Sequence, residues 1–134
     1  MKIKLIFEKK SVNEKHYPMI KKFIRFLYKK YKLKSDLMIN FLGKRKGRMT
    51  TGGRLPNGLI VVLCGKRIIR DILRTLAHEW VHEFQYQRMG LKDTQKIQDI
   101  GGPEENMCNI LSGIFVKKFE KEFPQYSHLL YGEN

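Results

Sequence analysis

Ile68-Ile69-Arg70-Asp71-Ile72-Leu73-Arg74-Thr75-Leu76-Ala77-His78-Glu79-Trp80-Val81-His82-Glu83-Phe84-Gln85 carries an apolar series with the period of an α-helix. Ile69, Ile72, Leu73, Leu76, Trp80 and Phe84 recur in steps of three and four residues. Gly65 before the run and Gly90 after it stand where a helix start and a C-terminal cap would. Inside this helix lies His78-Glu79-Trp80-Val81-His82. Residues four apart share one helical face, so both imidazoles point to one place, with Glu79 beside it.

Two imidazoles at that spacing suit a metal ion, and a hydrolytic zinc site adds a third protein ligand and a water. A glutamate between the histidines serves as a base. It takes a proton from an activated water and passes it to a leaving amine.

A third ligand is sought downstream, in Gly101-Gly102-Pro103-Glu104-Glu105-Asn106-Met107-Cys108-Asn109. Pro103 after two glycines reads as the first position of a new helix. Met107, Ile110, Leu111, Ile114, Phe115 and Phe119 continue it to Glu122, before Pro124. Glu104 and Glu105 then fall in its first turn, where acids also offset the helix dipole.

Here the chain resembles the gluzincin metallopeptidases, in which HExxH is followed on a second helix by a metal-binding glutamate in an E-x-x-x-[DN] pattern. Glu105-Asn106-Met107-Cys108-Asn109 matches it, whereas four residues beyond Glu104 stands Cys108. The resemblance implies a single zinc ion per chain held by His78, His82 and Glu105, with Glu79 catalytic and Asn109 orienting a histidine from behind. It is closest to small gluzincin-like proteins of bacteria and phages, which often carry alanine where Cys108 stands. The similarity covers residues 58 to 122. A metzincin pattern fails, with Gln85 in place of its glycine and Arg88 in place of its third histidine. A SprT-like protease, which acts on proteins attached to DNA, would take a later histidine as ligand, and only His128 follows His82.

Charge is divided unevenly along the chain. Of the formal net charge of +14, residues 1 to 70 hold 20 Lys/Arg against three acids, and residues 71 to 134 hold seven against ten. The excess lies in the half without the histidines. Such a field attracts nucleic acid, anionic lipid or acidic protein, and also serves plain solubility. Candidate nucleic-acid contacts are Lys21, Lys22, Arg25, Lys29 and Lys30 on a first helix, and Lys44, Arg45, Lys46 and Arg48 in a glycine-rich segment.

The 134 residues, 42% of them hydrophobic, make one domain, expected over residues 1 to 134. The longest apolar run, Leu59 to Cys64, is far short of a membrane span, and Met1 to Glu8 lacks a signal peptide's apolar block. A cytoplasmic protein is expected, in a host's cytoplasm if phage-encoded. Cys64 and Cys108 read as buried free thiols.

Ile3 to Phe7, Leu37 to Leu42 and Leu59 to Leu63 read as strands, and Tyr17-Pro18 opens a helix with Ile20, Phe23, Ile24, Leu27, Tyr28 and Tyr31 on its apolar face. Gly43 to Gly58, with five glycines, reads as a mobile loop or a loose hairpin. The order implies an α+β, zincin-like domain, its helices on one side of a small mixed sheet. Leu59 to Leu63 is a candidate substrate-binding edge, although its unbroken apolarity suits a central strand equally. Tyr86, His128, Tyr126, Tyr131 and Arg54 are candidates by type for stabilising an oxyanion.

Overall fold

The computed structural model describes residues 2–44, 50–88 and 103–134. Its strands are β1 (Ile3–Phe7), β2 (Leu37–Leu42), β3 (Gly52–Leu55) and β4 (Leu59–Leu63). Its helices are α1 (Tyr17–Lys30), α2 (Ile69–Arg88), α3 (Pro103–Glu122) and the short α4 (Ser127–Leu130). The architecture is α+β, with one four-stranded mixed sheet in the order β1-β2-β4-β3. β1, β2 and β4 run parallel, and β3 is antiparallel to β4.

Side chains alternate across these strands, and the register sorts them onto two faces. Ile3, Leu5 and Phe7 align with Leu37, Ile39 and Phe41, and these with Ile60 and Val62. All of them join the hydrophobic core. Lys4 and Ile6 point the other way and are exposed, so the helices cover one face. Phe7 stacks between Tyr17 and Phe41, with ring centroids 4.0 and 4.6 Å away. Phe23 and Phe26 of α1 meet Phe119 of α3 edge-on. Trp80, fully buried on α2, donates from Nε1 to the Tyr31 carbonyl at 2.9 Å, so its one polar atom is satisfied.

The candidate edge Leu59–Leu63 lies inside the sheet, between β2 and β3. The edges are β1 and β3, and β3 pairs antiparallel with β4, so the end of the Gly43 to Gly58 segment forms a hairpin, one of its two readings. Gly52 is there for proximity: a Cβ on it would lie 2.6 Å from Thr75 Cγ2 and 2.7 Å from the Val61 carbonyl oxygen. A glycine in a strand can mark the close approach of another element as well as a turn. The turn itself follows, where Asn57 and Gly58 take φ of 65° and 72° before β4 starts. Arg45, Lys46 and Arg48 of the basic segment, and the glycine expected to cap α2, Gly90, lie outside the described residues.

Candidate metal centre

α2 is bound to be amphipathic by its sequence, yet it buries Thr75, Glu79, His82, Glu83 and Gln85 together with its apolar stripe. Polar groups survive burial only with partners, so the question is what each one meets.

His78 and His82 lie one turn apart with their Nε2 atoms 3.2 Å from each other. Glu105, in the first turn of α3, reaches both. Its Oε1 lies 2.9 Å from His78 Nε2 and its Oε2 lies 2.9 Å from His82 Nε2. Glu79 stands further back, with Oε1 3.8 Å from His78 Nε2. Ligand atoms of His78, Glu79 and His82 all fall within 4.8 Å of one another, but Glu105 is the carboxylate that closes on the two rings. Glu104, its neighbour, contributes a backbone carbonyl instead.

The spacing fits a metal ion. Two nitrogens on one tetrahedral ion, each bonded at about 2.05 Å, are separated by about 3.3 Å. The Nε2 pair stands at 3.2 Å. Two imidazoles and one carboxylate also form a donor set suited to a divalent transition metal.

His82 is held from behind by Gln85, whose Oε1 lies 3.2 Å from His82 Nδ1. The Gln85 Nε2 donates to the Glu104 carbonyl at 3.0 Å, which turns Oε1 toward the ring. That arrangement puts a proton on His82 Nδ1 and leaves the Nε2 lone pair for the site. The orienting role that the resemblance gave to Asn109 is therefore filled, at His82, by Gln85. Asn109 is exposed and lines the cavity in front of the site. The signal that could have found Gln85 is its i+3 spacing from His82, which places both on one face.

Cys108 Sγ is 3.6 Å from the same Gln85 oxygen and is buried. Burial pushes its pKa up, and the neighbouring carboxylates Glu105 and Glu79 push it further, so it stays a thiol. Burial likewise pushes the Cys64 thiol up to about 12.

A cavity of about 380 Å³ opens in front of His78, Glu79 and Glu105. Thr50, Thr51 and Gly52 bound it on the sheet-edge side, Asn109 and Ser112 on the α3 side, Asp71, Arg74 and Thr75 along α2, and Arg67 just before that helix. Arg67 is engaged by the fold: it donates to the carbonyls of Leu63 at 2.7 Å and Asp71 at 3.2 Å and to Thr75 Oγ1 at 2.8 Å.

None of the five oxyanion candidates lines this cavity. Arg54 pairs with Glu83 and lies 3.6 Å over the Tyr86 ring. Tyr126 stacks over Phe119, Tyr131 donates to Glu120, and His128 is exposed on α4.

Comparison of the chain with protein-family models, with curated proteins and with solved structures found no match. Among the described residues, no helix is long and apolar enough to cross a membrane.

Proposed function

We propose that the chain is a zinc-dependent peptidase of the zincin type, with protein or peptide substrates. The observation that carries this reading is the meeting of His78, His82 and Glu105 within 2.9 to 3.2 Å, with Glu79 beside them at the mouth of a cavity bounded by a sheet edge.

His78 Nε2, His82 Nε2 and the Glu105 carboxylate would hold the ion, and zinc there supplies Lewis acidity toward a water and the scissile carbonyl. Glu79 is not needed as a ligand. Its carboxylate accepts the proton of the attacking water and returns it to the departing amine nitrogen. β3 is the antiparallel edge beside the cavity, so an extended peptide can lie along it as an added strand. Gly52 lets that edge approach α2 closely.

Hydrolysis of a broad peptide library by the parent chain and by Glu79→Gln tests the reading. The variant should retain one zinc per chain while its rate falls about 100-fold or more. Equal hydrolysis by both proteins would assign the activity elsewhere.

A second reading, a nucleic-acid-associated protein in which the metal site processes a bound protein or supports the fold, rests on α1. Lys21, Arg25 and Lys29 recur every fourth residue and are all exposed, forming one cationic row. It does not line the cavity.

A further inference from the structure

Beyond the metal ligands, α2 and α3 continue side by side. Gln85 lies against Glu104, His82 against Glu105, and Arg74 against Gly113, which makes the helices antiparallel. Arg74 is one helical turn before His78, on the same face. A Cβ built on Gly113 would sit 3.9 Å from its Nη2, so the guanidinium lies over α3 where that helix has no side chain. Arg74 is exposed and makes no hydrogen bond or ion pair with any described residue. Asp71, three residues back, lines the same cavity without pairing with it.

Arg74 and Asn109 line a second, more open depression as well, which continues the cavity along α3. Its floor is apolar, with Ile110 63% and Ile114 39% exposed. Among the described residues the charges around it are Arg70, Arg74 and Lys117, with no acid in its lining. A single cation between a reaction centre and an apolar, cation-rimmed groove suits a ligand with a carboxylate followed by an apolar group. Among the described residues no aromatic ring lines the groove to stack a nucleobase, and that favours peptide over nucleic acid.

We propose that Arg74 sets the substrate class: peptides with an acidic side chain close to the scissile bond and an apolar residue beyond it, seated on Ile110 and Ile114. This rests on the peptidase reading above. Four residues of helix rise about 6 Å and an extended peptide advances about 3.3 Å per residue, so the acid belongs within about three residues of the cleaved bond.

The test uses the full Glu79→Gln chain with zinc added, and labelled peptides that differ only in Glu against Gln at that position, followed by fluorescence anisotropy. The acidic peptide should bind about tenfold more tightly, as expected for a charge-assisted hydrogen bond to a partly exposed cation. Arg74→Gln should abolish that preference at unchanged zinc content, and Arg74→Glu should transfer it to a Lys-containing peptide. Ile110→Ser with Ile114→Ser should weaken both peptides alike. Equal affinity of the parent for Glu and Gln peptides overturns the proposal without any variant having to fold. So does a preference that survives Arg74→Gln, or full displacement of the peptide by a single-stranded oligonucleotide through these residues. Selective binding without hydrolysis by the wild-type chain would refute the peptidase reading and leave the assignment of Arg74 standing. Hydrolysis with no preference for the acid would do the reverse.

Discussion

Arg54 of β3 donates from Nε to Oε1 of Glu83 on α2 at 2.8 Å, with the two side chains only 7% and 3% exposed. The pair fastens the edge strand to the helix that carries the histidines. Glu83 Oε2 accepts from Gln87 Nε2 at 2.5 Å, and the Arg54 guanidinium lies over Tyr86, so the buried carboxylate is engaged on both oxygens. A buried ion pair is weak evidence of net stability, but losing one partner leaves the other charge stranded.

Arg54→Ala should therefore lower the unfolding free energy by about 3–5 kcal/mol. Arg54→Met combined with Glu83→Met, which removes both charges, should recover much of that loss. Urea unfolding of the three proteins measures it. A loss below about 1 kcal/mol in the single variant would mean that water reaches Glu83 and replaces the arginine.

Metal binding should separate adjacent acids. Glu105→Ala, His78→Ala and His82→Ala should lose zinc, because each removes one of three converging donors. Glu104→Ala should keep it, since Glu104 acts there through its backbone carbonyl. Gln85→Leu should weaken zinc about 10- to 100-fold, because His82 loses the group that fixes its tautomer. Metal analysis after dialysis against a graded chelator reads all five. Retention in Glu105→Ala with loss in Glu104→Ala would reverse the choice between the two carboxylates.

What the sequence made legible follows the range of the interactions. The helices over Ile69–Arg88 and Pro103–Glu122 are local patterns, visible as apolar periodicity and as a proline opening a helix. The choice of Glu105 over Glu104 came only through the resemblance, because a first helical turn welcomes either acid. β3 was legible only as one of two readings, a loop or a loose hairpin, because Gly52 answers to a neighbour, Thr75, that no local pattern announces. The order β1-β2-β4-β3 depends on pairing between distant segments, so an apolar run such as Leu59–Leu63 fits edge or centre alike. Arg74 and Gln85 needed only helical geometry from the histidines, at four residues before His78 and three after His82.

A single histidine should make folding stability sensitive to acid. His16 is 1% exposed, and neither ring nitrogen has a hydrogen-bond partner among the described residues. Burial, and secondarily Lys15, lower its pKa from the ordinary 6.5. The folded state thus resists a proton that the unfolded chain accepts. Stability from this group is full above the unfolded value and falls as pH drops below it, by at most about 1.4 kcal/mol per pH unit for one proton. His16→Leu should flatten that part of the profile. Unfolding measured at about pH 7.5 and about pH 5.5, with chelator throughout so that zinc release is constant, makes the comparison. Identical acid sensitivity in both proteins would show that His16 is solvated or already charged when folded.

The cationic row on α1 makes a separate prediction. Lys21, Arg25 and Lys29 project into solvent together, whereas Lys22 is half-buried with its ammonium 5.0 Å from the Phe123 ring centroid. Lys44 is exposed at the end of β2, and Arg45, Lys46 and Arg48 follow it in the sequence. If this surface binds DNA or RNA, affinity falls steeply with salt, because each phosphate contact releases a counterion. Replacing Lys21, Arg25 and Lys29 by Gln should then reduce affinity for duplex DNA and lower the slope of log affinity against log salt by up to about 2.7. Neutralising Lys44, Arg45, Lys46 and Arg48 should act in the same direction. Lys21, Arg25 and Lys29 are not among the described residues that line the cavity, so zinc content and Glu79-dependent hydrolysis should not change in the first variant. Anisotropy at about 0.15 M salt, where charges are screened beyond about 8 Å, is the discriminating condition. Lack of binding there, or binding indifferent to both sets, would leave the charge as a solvated surface and remove the nucleic-acid reading.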